Sequence, residues 1–157
     1  MRFGVTGHQV LPPRIVDCAV QHWRRVLPIG AQLYGVSSLA EGADQLFAAH
    51  ILAAGGMLEA ILPCADYASS LVTDDGRARF EVLRRAAATV ITLPYAKPSE
   101  QAFLAAGQVL VERCDHLFAI WDGRPARGLG GTADLVAYAR ACGSPVTVLW
   151  VDGVLRA

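Results

Sequence analysis

The sequence lacks net charge and has almost no lysine. Its 157 residues include 14 basic and 14 acidic side chains, and Lys97 is the one lysine against thirteen arginines. Zero net charge removes the bulk electrostatic case for nucleic acid or an anionic membrane, so we predict neither as a partner. The preference for arginine over lysine, together with abundant alanine, is typical of a GC-rich bacterial genome.

Cysteine is scarce, and its spacing suggests no pairing. The four cysteines stand far apart and none belongs to a C-x-x-C pair, which argues against a zinc site and a disulfide framework. We therefore predict a reduced, cytoplasmic protein with no metal site, and leave open a magnesium ion carried by a phosphate. The sequence also lacks a signal-peptide pattern and an apolar run long enough to span a bilayer.

Apolar residues, in contrast, make up 54% of the chain and charged residues 18%, a balance that excludes a disordered protein. Short apolar runs alternate with stretches of helical periodicity. We predict strands at 2–6, 32–37, 58–62, 88–93, 116–121 and 145–151, and helices at 14–27, 41–54, 76–87, 99–113 and 132–142. This alternation predicts a single domain over 1–157, an α/β doubly wound, three-layer Rossmann-like sandwich with a mostly parallel sheet of about six strands.

Ligands of such sheets bind beyond the carboxyl ends of the strands, and a glycine-rich loop stands at one of these ends. The loop opens with Asp122 and Gly123, and Gly128, Gly130 and Gly131 precede a helix that starts at Thr132. Free N–H groups at a helix start favour an anion, so the loop is interpreted as a phosphate cradle. The alternative is a flexible loop in which Thr132 is the N-cap and Asp134 occupies the first turn.

The same segment matches G-x-G-x-x-A, but six residues separate Trp121 from Gly128. A dinucleotide fingerprint lies directly against its strand, so we discount that motif. The chain has no G-K-[ST] sequence, which excludes a P-loop ATPase.

The second strand ends in Ser37 and Ser38, followed by Glu41, Gly42 and Asp44. The serines and Gly42 offer hydroxyl and N–H groups to a ribose or phosphate, and the two carboxylates suit ribose hydroxyls or a general base. The alternative for Ser38-x-x-Glu41 is a capping box at the start of the second helix.

Two further loops complete the predicted pocket. Gly7 and His8 follow the first strand, where His8 is predicted to contact phosphate or base or to transfer a proton, the alternative being a solvated histidine. Pro63 closes the third strand, and the segment after it contains Asp66, Tyr67, Arg77 and Arg79. We predict that most of this segment is a solvated surface. The alternative is a lid in which Tyr67 stacks on a base and the arginines pair with phosphate.

Four segments together resemble the SLOG superfamily, which includes Lonely Guy (LOG) enzymes and DNA-processing protein A relatives. They are Gly4-Val-Thr-Gly-His8, Ser37-Ser-Leu-Ala-Glu-Gly-Ala-Asp44, Leu62-Pro63, and Asp122-Gly followed by Gly130-Gly-Thr-Ala-Asp134. The resemblance implies a Rossmann-like pocket for a nucleotide or nucleotide derivative. It also implies self-association, since LOG-type enzymes are commonly dimers, and in several relatives cleavage of the N-glycosidic bond of a nucleotide.

The chain departs from its relatives at one position. LOG enzymes carry P-G-G-x-G-T-x-x-E, and nucleoside deoxyribosyltransferases carry the similar G-T-A-x-E, but Leu135 stands where both have the glutamate. Asp134 is one residue early, about 100° around a helix, so it cannot simply replace that glutamate. A missing carboxylate removes a means of stabilising a cationic ribosyl transition state.

We therefore predict a nucleotide-binding sensor or carrier that requires no cofactor beyond its bound nucleotide. The alternative is a hydrolase or transferase acting on the N-glycosidic bond of a nucleotide, with Asp134, Glu41 and Asp122 as the catalytic candidates. A third hypothesis, DNA binding as in the DNA-processing relatives, is disfavoured by the zero net charge and the single lysine.

Overall fold

Strands and helices alternate along the chain in the computed structural model, which describes residues 1–125, 128 and 131–156. The strands are β1 (Arg2–Gly7), β2 (Tyr34–Ser37), β3 (Met57–Leu62), β4 (Thr89–Thr92), β5 (His116–Ile120) and β6 (Val146–Val148). The α-helices are α1 (Pro13–Val26), α2 (Ala43–Ala53), α3 (Asp74–Ala86), α4 (Glu100–Arg113) and α5 (Thr132–Ala141). A short 3₁₀ helix at Ala68–Ser70 was not predicted.

All strand pairs are parallel, and the sheet order is β4-β3-β2-β1-β5-β6. This arrangement confirms the predicted doubly wound α/β fold. The chain moves outward from β1 to β4 and then returns to the other side of β1 through β5 and β6. The order therefore reverses between β1 and β5, which makes the gap beyond their carboxyl ends the switch point where such folds hold ligands.

The reversal divides the helices between the two faces of the sheet, because right-handed crossovers in opposite directions lie on opposite faces. One core joins Trp23 of α1 and Phe47 of α2 to Phe118 of β5. The other joins Leu110 of α4 to Leu117 of β5, with Ala139 of α5. The near-continuous burial of β3 and β5 reflects helices packed on both faces.

Glycines allow the helices of the first face to approach the sheet closely. A Cβ on Gly35 of β2 would lie 2.5 Å from Ile51 Cγ1 of α2, and a Cβ on Gly7 would lie 2.5 Å from the Cβ of Ala43. Neither position accommodates a side chain without backbone movement. Gly7 is thus required by helix packing, whatever it contributes to a ligand.

An ion cluster around the buried Glu59 carboxylate, with two partly exposed arginines, lies among β1, β3 and α4. The Glu59 side chain is fully buried in β3, where Arg2 Nη1 lies 3.1 Å from its Oε2 and Arg113 of α4 pairs with its Oε1. Removing one partner of a buried pair leaves an uncompensated charge, so this cluster is a stability element.

The chain leaves the sheet earlier than predicted, after the three residues of β6. Beyond β6, Leu149 is buried and the Trp150 Nε1–H donates to the carbonyl of Val154 at 2.9 Å. Residues 149–156 therefore form a packed segment rather than a strand. Among the described helices, none combines the length and apolar character needed to cross a membrane.

Candidate functional site

A cavity of about 670 Å³ lies at the carboxyl ends of β1, β2, β3 and β5. This volume is in the range of small-molecule sites. Its wall continues along α4 from Glu100 to Leu110 and along the first residues of α5. It includes these residues singled out from the sequence: Gly7, His8, Ser38, Glu41, Asp44, Pro63, Tyr67, Gly128, Gly131 and Thr132.

Other predicted residues stand outside the cavity wall. Ser37, Gly42, Asp122, Gly123 and Asp134 do not line it. Gly130 lies outside the described residues. The three charged residues singled out after β3 do not line the cavity either. Asp66 and Arg79 are exposed, and Arg77 Nη1 donates to the carbonyl of Leu71 at 2.6 Å.

The loop between β2 and α2 is fixed by its own polar groups. The buried Ser37 hydroxyl donates to the carbonyl of Asp44 at 2.9 Å and accepts from the N–H of Leu39 at 3.1 Å. Leu39 has φ +60, an uncommon backbone conformation for a residue with a side chain. Gln45 Nε2 donates to the carbonyls of Leu39 and Gly76, which ties the loop to α3. Ser37 thus holds the loop in shape beneath the cavity.

Gly42 joins this loop to the one after β1. Its φ is +82, and a Cβ there would lie 2.4 Å from the carbonyl oxygen of His8 and 2.3 Å from that of Gln9. The Ala43 N–H donates to the same His8 carbonyl at 3.1 Å. A glycine is therefore needed for the two loops to meet.

Glu41 binds α3 rather than its own helix. Helix α2 begins at Ala43 with Gly42 as N-cap and no side-chain cap, so the predicted capping box is absent. The Glu41 carboxylate instead accepts from the Val72 N–H at 2.5 Å and from the Thr73 hydroxyl at 2.6 Å. Burial raises its pKa, but these hydrogen bonds outweigh burial and hold it below its usual range.

Asp44 is a carboxyl group with a proton available near neutral pH. It lines the cavity, and its Oδ2 accepts from the Ala40 N–H at 3.3 Å. Burial raises the pKa of Asp44 to about 7 against the opposing effect of that hydrogen bond. Titratable groups shifted in this way gather at functional sites, and a carboxyl group there suits a ribose hydroxyl, a base amino group or proton transfer.

Tyr67 forms part of the cavity wall beside Asp44. It is 5% exposed, and its ring lies edge-on to Phe80 at 5.5 Å and to Phe103 at 6.4 Å. Within the described part of the chain its hydroxyl has no hydrogen-bond partner. Burial, with a smaller contribution from Asp44, raises the pKa of Tyr67 well above its usual value, so the group is a neutral donor. Tyr67 is therefore neither a solvated surface residue nor part of a lid, but a buried residue of the cavity wall.

At the switch point, an ion cluster joins β1, β5 and the C-terminal segment. His8 Nε2 lies 3.3 Å from Asp122 Oδ1 and 3.3 Å from the Asp122 backbone nitrogen. Arg156 Nε lies 3.2 Å from Asp122 Oδ2. Burial raises the pKa of Asp122, but the Arg124 N–H, His8 and Arg156 outweigh it and lower that pKa overall. Asp122 is thus ionised and pairs with His8 and Arg156, two residues that line the cavity.

The start of α5 opens into the cavity. Gly131 is the N-cap and supplies no side-chain hydrogen bond, so the alternative in which Thr132 caps the helix is wrong. Gly131, Thr132 and Ala133 all line the cavity. A helix start without a side-chain cap leaves N–H donors for an anion. Leu135, one turn later, adds an apolar surface to the wall.

Sequence reasoning missed two contributors to the site. Arg156 falls in a segment without a helical or strand motif, and its pairing with Asp122 is visible only in three dimensions. Glu100 and Phe103 of α4 line the cavity, yet read as ordinary first-turn and apolar helix residues. In the described ranges, no three His, Cys, Asp or Glu side chains are grouped to hold a metal ion.

No family model matches the chain, and no curated protein sequence matches it. Solved structures do match. DNA processing protein A (DprA) from Streptococcus pneumoniae superposes with a TM-score of 0.69 at 15% identity, over 98% of this chain and 51% of that one. DprA from Helicobacter pylori, described for its unique single-stranded DNA binding mode, gives 0.62 at 15% identity, over 94% and 64%. The structural-genomics target TM1055 gives 0.58 at 18% identity, over 92% and 71%.

These likenesses confirm the predicted Rossmann-like fold, which the chain shares with DNA processing protein A and TM1055. The chain spans about half of one DprA and 64% of the other. They also overturn one expectation, the exclusion of nucleic acid as a partner. That exclusion relied on zero net charge, a whole-molecule average that says nothing about a local binding surface, and a protein of the same fold is described as binding single-stranded DNA.

Proposed function

We propose that the cavity binds a nucleotide or a nucleotide-derived ligand, which makes the protein a sensor or carrier of that ligand. The observation that carries this proposal is the position of the start of α5, where Gly131 and Thr132 line the same cavity as Asp44 and Tyr67. An anion-binding helix terminus thus shares one cavity with groups that suit a sugar and a base.

Different groups of the cavity wall suit the phosphate, the ribose and the base of a nucleotide. The N–H groups of Thr132 and Ala133, at the positive end of the α5 dipole, favour a phosphate. Asp44 and the Ser38 region supply oxygen acceptors and donors for ribose hydroxyls or a base amino group. Tyr67 and Phe103 provide an aromatic surface suited to a base, together with one hydroxyl donor.

Calorimetric titration tests this proposal. The four nucleoside monophosphates are titrated into the protein beside the matching nucleosides, and thermal unfolding is followed with each ligand. We expect binding of at least one monophosphate, and weaker binding of its nucleoside because the nucleoside lacks the anion for α5. A ligand at a hundred times its dissociation constant adds about 2.7 kcal/mol to the free energy of unfolding, which a thermal shift detects readily. Absence of binding by every nucleotide would refute the proposal.

Turnover of the N-glycosidic bond is measured in the same samples by chromatography of released base. Of the three carboxylates first considered for catalysis, Glu41 is hydrogen-bonded to α3, Asp122 is held by His8 and Arg156, and Asp134 does not line the cavity. Asp44 is the cavity carboxyl with a pKa suited to proton transfer near neutral pH. If base is released, we expect Asp44→Asn to abolish the release.

Binding of single-stranded DNA is a second candidate function, favoured by the structural likeness to DprA. It is tested by fluorescence anisotropy with a labelled oligothymidylate. A DNA-binding surface should lose affinity steeply between about 50 and 200 mM salt, because bound phosphates release counterions. Competition by a nucleoside monophosphate would indicate that the strand enters the same cavity.

A further inference from the structure

The segment after β6 forms part of the site, and we call residues 149–156 the C-terminal strap. The Leu149 N–H donates to the carbonyl of Ala119 in β5 at 2.8 Å, which starts the strap alongside the sheet. The Trp150 ring lies edge-on to His8, with 5.4 Å between ring centroids. Its Nε1–H donates to the carbonyl of Val154, which closes the strap on itself. The strap therefore packs beside the switch point through Trp150 and His8.

The strap places one cationic side chain, that of Arg156, in the cavity wall. The side chain of Arg156 is 14% exposed and lines the cavity. Its Nε lies 3.2 Å from Asp122 Oδ2, and within residues 1–125, 128 and 131–156 its two Nη groups have no partner. One edge of the guanidinium is thus held, while the other edge keeps donors for a further acceptor.

Few charged groups in the cavity wall around Arg156 favour an anion. Glu41, Asp44 and Glu100 also line the cavity, and these carboxylates favour donors over anions. His8 lines it too, beside Asp122. Among the described residues, Arg156 is the one lysine or arginine in the cavity wall.

We propose that Arg156 binds an anionic group of the ligand, a phosphate monoester on a nucleoside, and that Asp122 is the positioning residue that orients it. This inference rests on the proposed function and extends it by naming the side chain that distinguishes phosphorylated from unphosphorylated ligands. The planar guanidinium fork matches two phosphate oxygens, and a side chain already fixed along one edge loses less freedom on binding. A purely structural Arg156, present only to neutralise Asp122, would not affect the choice between ligands.

The test compares Arg156→Gln, Arg156→Lys and a control, Arg140→Gln, by calorimetry. Arg140 is exposed in the last turn of α5, at the opposite end of that helix from the cavity, so its substitution removes the same charge elsewhere. Each protein is titrated with the nucleoside monophosphate that wild type binds best, with the matching nucleoside, and with inorganic phosphate. Circular dichroism and thermal unfolding establish that each variant is folded.

We expect Arg156→Gln to weaken monophosphate binding on the order of 10- to 100-fold, the usual effect of losing a charge-assisted hydrogen bond. Nucleoside binding should change by less than about twofold, the scatter expected for a contact not made. Arg156→Lys should restore only part of the affinity, since a single ammonium cannot hold Asp122 and two phosphate oxygens in one plane. Arg140→Gln should bind as wild type does.

The outcomes separate the two proposals. If wild type prefers the monophosphate and Arg156→Gln keeps the same preference, the inference about Arg156 is wrong while the proposed function stands. If wild type binds no nucleotide, both are wrong. Should Arg156→Gln fail to fold, Arg156→Lys decides the matter, because it retains a cation for Asp122, and an unchanged preference in that variant overturns the inference.

Discussion

Leu135 of α5 lies so close to Gly107 of α4 that a Cβ on Gly107 would come within 2.3 Å of Leu135 Cδ2. Leu135 stands at the position where the LOG and deoxyribosyltransferase motifs carry glutamate. Here the side chain is 8% exposed and closes an apolar part of the cavity wall against α4. At this position the chain therefore has a packing contact between two helices, and no carboxylate.

This contact predicts a reversal of the usual effect of a glycine substitution. In a helix interior, glycine to alanine ordinarily stabilises by up to about 1 kcal/mol. We expect Gly107→Ala instead to destabilise by about 1–2 kcal/mol, because the added methyl group collides with Leu135. In a Leu135→Ala background the same change should be neutral or stabilising. Urea unfolding of wild type, Gly107→Ala, Leu135→Ala and the double variant gives the coupling free energy between the two positions. Equal effects of Gly107→Ala in both backgrounds would show that the added methyl group does not collide with Leu135.

The raised pKa of Asp44 predicts that the free energy of unfolding falls as the pH rises. Burial raises its folded-state pKa to about 7, above the unfolded value of about 3.9, so the folded state holds the proton more tightly. Its contribution to the free energy of unfolding must then fall as the pH rises from about 4 to 7. Asp44→Asn removes this dependence while keeping an acceptor for the Ala40 N–H.

The measurement is chemical unfolding of wild type and Asp44→Asn at pH 5 and pH 8. Between these values we expect wild type to lose about 2–3 kcal/mol relative to the variant, which corresponds to about two pKa units. Parallel pH profiles of the two proteins would show that Asp44 does not titrate near neutral pH.

Glu41 predicts a stability effect centred on the start of α3. Three donors converge on its carboxylate, from Val72 and Thr73, and Thr73 in turn caps α3 by accepting from the Gly76 N–H at 2.9 Å. Glu41→Gln should cost about 1–2 kcal/mol, because a neutral amide accepts at only one of its two terminal atoms. Amide hydrogen exchange should accelerate in the first turn of α3. Thr73→Ser, which keeps the hydroxyl, is the matched control and should stay close to wild type.

The start of α5 predicts a difference between two substitutions at one residue. Thr132 is the first residue of the helix, and Gly131 before it is extended, with φ −69 and ψ 175, which suits a following proline. Thr132→Pro deletes one backbone N–H from the cavity, whereas Thr132→Ala deletes only the hydroxyl. We expect Thr132→Pro to weaken nucleoside monophosphate binding by about tenfold more than Thr132→Ala does, as for loss of one hydrogen bond to a charged group. Equal affinities of the two variants would show that this N–H does not contact the ligand.

The sequence predicted the order of strands and helices because apolar periodicity is a local property. Strand β6 is shorter than predicted, since Leu149 and Trp150 pack against neighbouring segments once the chain has left the sheet. The loops around Gly7 and Thr132 were predicted to converge because parallel strands bring their carboxyl ends to one edge.

Pairings between distant segments could not be predicted in this way. Ser38-x-x-Glu41 has the spacing of a capping box, yet α2 begins only at Ala43 and Glu41 accepts a hydrogen bond from Thr73, which is 32 residues away. Arg156 contacts Asp122 from a segment with no recognisable motif. The segment around Tyr67 was predicted to be a solvated surface or a lid, whereas the Tyr67 ring packs edge-on against Phe80 and Phe103 in the cavity wall. In each case the partner is set by packing that no local pattern encodes.

Calorimetric titration of wild type with each nucleoside monophosphate is the most direct test of whether the cavity binds a nucleotide. The titration that gives the tightest binding is then repeated with Thr132→Pro and Asp44→Asn. We expect one-site binding of a monophosphate, weaker binding of its nucleoside, and reduced affinity in both variants. Binding of no monophosphate, or binding that both variants leave unchanged, would contradict this expectation.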